Sequence, residues 1–384
     1  MKSPRAYLDH NASAPLLPEA RAAMIAALDL TANPSSVHHE GREARRIVEA
    51  ARRDVAALCN AKPEHVVFTS GASEAAALVL TPNWKMGRAS LTYSRLYVAE
   101  TDHSIVVGGG RFPAEQVVFL PVDAMGIVDL AALEAALAAH DKAEGLPLVA
   151  VHLANNESGV IQPAARIARI VHDAGGVFVL DAVQAGGRIS LDVSELCADF
   201  LILAAHKIGG PKGAGALIGT SDVLMPAAIA AGGGQERGHR AGTENYAAIA
   251  GFGVAARRAR ENVARAGDLE QRRERIVAIL REIAPDVTIF GEATHRLPNT
   301  VFFSIPGVKA ETLLIALDLA GVAVSAGSAC SSGKVGASRV LKAMGFGDTV
   351  SGVRVSVGHE TKGSEIEQFA IALHDFMKRR SRAA

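Results

Sequence analysis

The chain has few cysteines, no net charge and no long apolar run. Its 384 residues include only Cys59, Cys197 and Cys330, with no C-x-x-C pair, which argues against a disulfide framework and against a structural zinc site. Forty basic and forty acidic residues cancel, so no long-range field attracts nucleic acid or an anionic membrane. No uninterrupted apolar stretch is long enough to span a bilayer or to act as a signal peptide. We therefore expect a cytoplasmic protein that binds small molecules and proteins, with no metal, nucleic acid or membrane as partner.

Short apolar runs alternate with helical patterns from about residue 15 to residue 260. Their length and their β-branched residues are typical of strands buried on both faces, and the helical stretches between them are typical of crossovers. The pattern predicts an α/β domain with a mixed, mainly parallel sheet between helices. The runs are residues 66–68, 96–98, 117–119, 148–151, 177–180 and 200–203.

The pattern changes after a long helical stretch around residues 244–283. Strand-like runs at 300–303, 322–324 and 353–357 there alternate with one helix near 310–320, as in a small α+β unit. We expect a large domain from residue 15 to 260, and a small domain made of residues 1–14 and 261–384.

Lys207 is the first candidate for chemistry, because a glycine-rich turn follows it at the end of the run 200–203. A lysine at the carboxyl end of a buried strand can project its amine into the crevice where α/β folds bind ligands, and can form a Schiff base there. Taken alone, Lys207 is equally compatible with a lysine on a surface loop.

Three further strand ends carry polar residues that match parts of one cofactor. Asp181 ends the run 177–180, where a buried carboxylate needs a partner such as a protonated pyridine nitrogen, and Gln184 is placed to bond the ring oxygen. The turn at 69–74 leaves backbone N–H groups free for a phosphate at a helix start. His103, after Asp102, can stack on a planar ring and move protons near neutral pH. Each residue alone also has a structural explanation, a helix cap or a buried histidine, and it is their convergence that favours pyridoxal 5′-phosphate (PLP).

At this point the sequence resembles the cysteine desulfurases, in the class V aminotransferase group of the type I fold of PLP enzymes. The resemblance covers nearly the whole chain. The matching motifs are YLDHNA (7–12), NPSSVH (33–38), TSGASE (69–74), DH (102–103), NNESG (155–159), DAVQ (181–184), HKIGGPKG (206–213), GGGQERG (232–238), RAGT (240–243), GSACSSG (327–333) and RVS (354–356).

The resemblance implies a role for each matching residue. Lys207 is the lysine that binds PLP covalently, and Asp181 is the partner of the pyridine nitrogen. Gln184 and Asn156 lie at the ring oxygen, and His103 lies over the ring. Ala72, Ser73 and His206 surround the phosphate. Thr243 reaches the phosphate across the interface of a homodimer, and Arg354, together with Asn156, binds the substrate, since a guanidinium suits a carboxylate.

Cys330 turns the prediction from a PLP enzyme into a cysteine desulfurase. It lies among small residues, where a thiol that visits both substrate and acceptor is expected, and Cys59 and Cys197 are expected to be buried and structural. The implied reaction takes L-cysteine to L-alanine. Lys207 removes the Cα proton, the Cys330 thiolate takes the sulfur as a persulfide, and His103 carries protons. The sulfur then passes to an acceptor protein, in iron–sulfur cluster assembly or thiolation.

A few positions depart from the family pattern. Ala204 stands where a serine usually contacts the phosphate, Ser73 replaces a threonine, and Ala77 replaces an asparagine, so weaker cofactor binding is expected. Gly336-Ala337 and His359 replace residues that concern the choice of acceptor.

Other functions on the same scaffold stay open at this stage. A selenocysteine lyase or a small-substrate aminotransferase needs most of the same residues, although an aminotransferase has no use for the thiol of Cys330. A degenerate homologue without activity is the non-enzymatic alternative.

Overall fold

The computed structural model describes residues 5–327, 337–347 and 349–383. The strands are β1 (Ala6–Tyr7), β2 (Val66–Thr69), β3 (Asn83–Met86), β4 (Ala89–Ala99), β5 (Val117–Leu120), β6 (Leu146–His152), β7 (Val177–Asp181), β8 (Phe200–Ala204), β9 (Gly215–Gly219), β10 (Leu224–Pro226), β11 (Thr288–Ile289), β12 (Thr300–Ser304), β13 (Val322–Ala323), β14 (Ser325–Ala326) and β15 (Val353–Ser356). The helices are α1 (Pro18–Leu28), α2 (His39–Leu58), α3 (Ala72–Val79), α4 (Ser104–Val107), α5 (Leu130–Ala138), α6 (Ala164–Asp173), α7 (Val193–Leu196), α8 (Tyr246–Val263), α9 (Ala266–Ile283), α10 (Ala310–Leu319), α11 (Arg339–Ala343) and α12 (Gly363–Ala383).

The larger sheet has a parallel centre. Its strand order is β10-β3-β4-β6-β7-β8-β9-β2, and β5 pairs with the second half of β4. Strands β5, β4, β6, β7 and β8 run parallel to one another, whereas β9 is antiparallel to both of its neighbours. Each of the six apolar runs from the large domain lies in a strand of this sheet. The predicted α/β fold with a mixed, mainly parallel sheet is therefore confirmed.

Both faces of the larger sheet are covered by apolar side chains. Phe178 and Leu180 of β7 belong to the core under α2, α6 and α8, and Val177 and Val179 of the same strand belong to the core on the opposite face. A strand that is buried on both faces can present polar groups only at its ends. As a result, polar residues of the sheet such as Asp181 and His152 lie where the parallel strands end, at their carboxyl ends.

The apolar runs missed several strands, of which β3 and β9 lie within the larger sheet. β3 pairs with an early extension of β4 around Gly87, whose φ of 58° suits a tight turn. The hairpin lacks a clean alternation of apolar and polar residues because Trp84 alone in β3 is buried, packed against Tyr93 and Phe200. β9 was missed because it is rich in glycine and alanine, with few of the residues that mark strands.

A second, smaller sheet has the order β11-β12-β15-β14. α9, α10 and α12 pack around it and bury a separate apolar core that includes Leu280, Phe303 and Phe369. The start of the chain belongs to this unit, since β1 pairs with β13. The long helical stretch is two helices, of which α8 packs on α1 and α2, whereas α9 packs on α12. We therefore propose that the chain divides near residue 265, close to the predicted boundary at residue 260.

Among the described residues, no helix combines the length and the apolar character that a bilayer span requires.

The two leucines near the end of α10 provide a test of the small core. Leu317 is 0% exposed and Leu319 is 83% exposed. Leu317→Ala leaves a cavity and is expected to lower the free energy of unfolding by about 2–5 kcal/mol, whereas Leu319→Ala is expected to change it by less than about 0.5 kcal/mol. Urea denaturation followed by circular dichroism measures both. Equal effects of the two substitutions would contradict the packing described for α10.

Candidate active site

A cavity of about 560 Å³ opens at the carboxyl ends of the central parallel strands. Most of the residues predicted for the site line it together, although they are far apart in the sequence. They are Ala72, Ser73, His103, Asn156, Asp181, Gln184, His206 and Lys207. Thr243 and Arg354 are not among the lining residues.

Asp181 is the last residue of β7 and its carboxyl group is buried. Its cross-strand neighbours are His152 on β6 and Ile202 on β8. Oδ1 accepts a hydrogen bond from the backbone N–H of Val183 at 3.0 Å. Burial raises the pKa of Asp181 from 3.8 to about 6, and this hydrogen bond opposes the rise only in part. A buried carboxyl group in this state is stabilised by a nearby proton or cation.

Lys207 follows β8 in a short turn and reaches toward the start of the chain. Its Nζ donates hydrogen bonds to the carbonyl oxygens of Asn11 at 2.6 Å and Ala12 at 2.9 Å. Asn11 is held in turn by the smaller sheet, because its Nδ2 donates to Oγ1 of Thr300 and its backbone N–H donates to Oγ of Ser356, both at 2.9 Å. The position of the lysine amine therefore depends on both sheets.

The helix α3 begins at the same cavity. Its first residue follows Gly71, and no side chain caps the first turn, so the N–H groups of Ala72 and Ser73 remain for a ligand. Arg240 ion-pairs with Glu74 at 3.0 Å, which offsets the negative charge that Glu74 brings to this helix start. Ala204 lines the cavity without a polar group, as expected from its departure from the family pattern.

His103 caps the short helix α4 at the cavity wall. Its Nδ1 accepts from the backbone N–H of Ile105 at 3.3 Å. Burial, together with the positive charges of Lys207 and Arg339, lowers its pKa to about 4. The imidazole is therefore neutral at physiological pH.

Arg354 lies on β15 and is only 2% exposed. Its Nη2 pairs with Asp9 and its Nη1 donates to the carbonyl oxygen of Asn156, both at 2.8 Å. Its Nε is buried and has no hydrogen-bond partner among the described residues. The guanidinium thus contacts the backbone of Asn156 without lining the cavity itself. Substrate binding by Arg354 stays a prediction.

Thr243 is exposed and lies beside a separate cavity with Ser70, Arg240 and Glu244. Because Thr243 is exposed, it is compatible with the predicted contact with a partner subunit. That contact stays a prediction.

Cys330 lies outside the described residues. Beyond that gap, Ser338 begins α11, and its Oγ donates to the buried carboxylate of Glu157 at 2.6 Å. Cys59 is fully buried, as predicted. The prediction for Cys197 was wrong, because it is exposed; it is the residue that follows α7, in a left-handed conformation with a φ of 53°.

Some residues of the cavity were missed in the sequence. Ser13, His152 and Lys212 also line it. His152 could have been found, since it ends an apolar run as Asp181 does, and its Nδ1 lies 2.5 Å from the Asp102 carboxylate. No sequence pattern pointed to Ser13, because it does not lie at the end of an apolar run.

The residues of the cavity fit PLP on chemical grounds. Lys207 offers an amine for a covalent bond, the buried carboxyl of Asp181 needs a cationic partner such as a pyridinium nitrogen, and the uncapped start of α3 suits a phosphate.

Comparisons with known proteins identify the family. The profile of the aminotransferase class-V family matches residues 6–369. The chain is 38% identical to a cysteine desulfurase of Frankia sp. (strain EuIK1) over 95% of this chain and 89% of that protein. It is 37% identical to a cysteine desulfurase of Cereibacter sphaeroides over 95% and 93%, respectively. The X-ray structure of a NifS-like protein from Rickettsia africae ESF-5 has a TM-score of 0.87 at 32% identity, with 97% of this chain and 99% of that chain covered.

The chain therefore belongs to the aminotransferase class-V family. Within it, the relatives place the chain in the cysteine desulfurase family, as the motifs predicted.

The raised pKa of Asp181 predicts a pH effect on the stability of the cofactor-free protein. Because the folded-state pKa of about 6 exceeds the ordinary value of 3.8, the neutral carboxyl stabilises the fold at low pH, and this contribution is lost as the pH rises through 4 to 6. Asp181→Asn removes the effect. From pH 4 to pH 7, wild type is expected to lose roughly 2–3 kcal/mol of unfolding free energy relative to Asp181→Asn.

Urea denaturation of both cofactor-free proteins at several pH values measures this difference. His103 and His206 are present in both proteins, so the comparison isolates the carboxyl group of Asp181. A difference that stays constant from pH 4 to pH 7 would contradict the burial of the Asp181 carboxyl.

Proposed function

We propose that the protein is a PLP-dependent cysteine desulfurase that converts L-cysteine to L-alanine and receives the sulfur on Cys330. The observation that carries the proposal is the convergence of Lys207, Asp181 and His103 on one cavity at the carboxyl ends of parallel strands. The relatedness to cysteine desulfurases supports the choice of substrate.

Lys207 and Asp181 perform the first part of the reaction. When bound, PLP supplies an electron sink that makes the Cα proton of the amino acid acidic. Lys207 holds the cofactor before substrate arrives, and afterwards its free amine removes the Cα proton. The Asp181 carboxylate keeps the pyridine nitrogen protonated, since a buried carboxylate strongly favours a cation beside it.

Sulfur transfer requires a thiolate and a proton carrier. The Cys330 thiolate attacks the sulfur of the substrate, the bond between carbon and sulfur breaks, and a persulfide stays on Cys330 while alanine leaves. A free thiol with a pKa near 8.5 is only a few per cent ionised at neutral pH. The imidazole of His103 relays this proton from the thiol to the leaving alanine, and because its pKa is about 4 it holds the proton only transiently.

The substrate carboxylate is bound by Arg354 with the help of Asn156. Arg354 has a buried Nε without a partner among the described residues, and its Nη2 is held by Asp9. Before the substrate binds, Asp9 neutralises the positive charge of the Arg354 guanidinium. The substrate carboxylate then competes with Asp9 for the same N–H groups.

The location, the oligomeric state and the sulfur acceptor are proposed from the resemblance to the cysteine desulfurase family. We propose a cytoplasmic homodimer in which Thr243 of one subunit contacts the phosphate of the other. The persulfide sulfur goes to an acceptor protein, for iron–sulfur cluster assembly or thiolation.

The exposed cysteine provides a matched control for Cys330. Cys330→Ala is expected to lower alanine release from L-cysteine by at least about 100-fold, because the sulfur acceptor is lost, and to leave cofactor binding intact. Cys197→Ala is expected to release alanine at the wild-type rate. Alanine is measured by amino-acid analysis under anaerobic conditions. Full activity of Cys330→Ala would refute the assignment of the thiol.

The two lysines of the cavity test the covalent cofactor site. After borohydride reduction and denaturation, wild type and Lys212→Ala are expected to retain PLP, whereas Lys207→Ala is expected to lose it, because only Lys207 forms the covalent bond. Mass spectrometry of the intact chain reads this out. Retention of PLP by Lys207→Ala would show that another residue carries the bond.

A further inference from the structure

Arg188 is a buried arginine whose partners are all neutral. It follows β7 and is 6% exposed. Its Nη1 donates to the carbonyl oxygen of Gln184 at 2.5 Å and to the side-chain oxygen of Gln184 at 2.7 Å, and its Nη2 donates to the carbonyl oxygen of His10 at 3.3 Å. Within the described part of the chain, no carboxylate forms an ion pair with it.

The other buried arginines differ in this respect. Arg52 pairs with Glu236, Arg273 pairs with Glu270 and Arg354 pairs with Asp9. A buried charge without a counter-ion destabilises a fold. The fold thus tolerates an unfavourable charge at Arg188, beside the proposed active site.

The hydrogen bonds of Arg188 fix the orientation of the Gln184 amide. Because the side-chain oxygen of Gln184 accepts from Arg188, the amide nitrogen must face the other way, and it donates to the carbonyl oxygen of Asn11 at 3.0 Å. The same carbonyl oxygen accepts from Nζ of Lys207 at 2.6 Å. A continuous chain of hydrogen bonds therefore connects Arg188, Gln184, Asn11 and Lys207.

Arg188 also carries its charge at neutral pH. Burial lowers its pKa to about 9, with a smaller contribution from the positive charge of Arg354. Arg188 and Lys207 line one cavity, so the charge of the guanidinium disfavours a second positive charge at the lysine that holds the cofactor.

We propose that Arg188 is a positioning residue of the cofactor site: it orients the amide of Gln184 and makes the protonated form of the bond between Lys207 and the cofactor more acidic. The proposal rests on the proposed function, because it requires that PLP bind at Lys207. Arg188 acts through Gln184 and through its charge, without touching the reacting atoms.

Other charged groups face the same residues and must stay constant in a test. Asp181, His103 and His206 interact with Lys207, and Arg354 and His10 face Arg188. None of these side chains is itself replaced in an Arg188 variant, but the pKa of His10 rises when the charge of Arg188 is removed. Arg188→Lys keeps that charge and so separates the effect of the charge from that of the hydrogen bonds.

The experiment is a pH titration of the visible absorption of the bound cofactor, together with the dissociation constant of PLP. Arg188→Met removes the charge and the hydrogen bonds. It is expected to raise the midpoint of the titration by about one pH unit and to weaken PLP binding roughly tenfold.

Arg188→Lys keeps the positive charge but loses the planar set of N–H donors. Its midpoint is expected to stay within about 0.3 pH units of wild type, with weaker PLP binding. Arg273→Met, at a buried arginine in the small core, is the matched control and is expected to leave both values unchanged.

Each outcome decides the proposal. An unshifted midpoint in a folded Arg188→Met would overturn it, as would a shift of the same size in Arg188→Lys or in Arg273→Met. If Arg188→Met does not fold, wild-type PLP affinity in Arg188→Lys would overturn the positioning role. A wild-type protein without the absorption band would overturn the proposed function and this proposal with it, whereas a normal band that is insensitive to Arg188 would remove this proposal alone.

Discussion

The carboxyl group of Asp181 is buried at the end of a strand that is itself buried on both faces, and the rest of the site depends on this constraint. Strands β6, β7 and β8 run parallel, so their carboxyl ends meet at one edge, and only there can the sheet present polar groups. A buried carboxyl at that edge strongly favours a cationic partner. In the proposed function, the ring nitrogen of PLP would satisfy this requirement, with Lys207 and the start of α3 holding the cofactor.

The site also depends on the segment around Asn11. It joins the smaller sheet through Thr300 and Ser356, and its carbonyl oxygen accepts hydrogen bonds from both Lys207 and Gln184. Arg354, from the same small sheet, reaches Asn156 at the cavity wall. The two units of the fold therefore meet in hydrogen bonds beside the lysine.

The sequence predicted the large sheet and most of the cavity because both follow from local patterns. Asp181 ends one apolar run and Lys207 lies in the turn after another, and parallel strands bring such ends together. Other features depend on contacts that no local pattern records. The amide of Gln184 meets the carbonyl of Asn11 across 173 positions in the chain, and Arg354 meets Asp9 across 345. Nothing in the sequence indicated the role proposed for Arg188, because the burial of an arginine without a carboxylate partner is visible only in three dimensions.

The most direct test of the account is anaerobic incubation of the purified, PLP-loaded protein with L-cysteine and a reductant, with alanine and sulfide quantified together. The account predicts equal amounts of the two products over many turnovers per subunit. A protein that shows the spectrum of bound cofactor but releases neither alanine nor sulfide would contradict it.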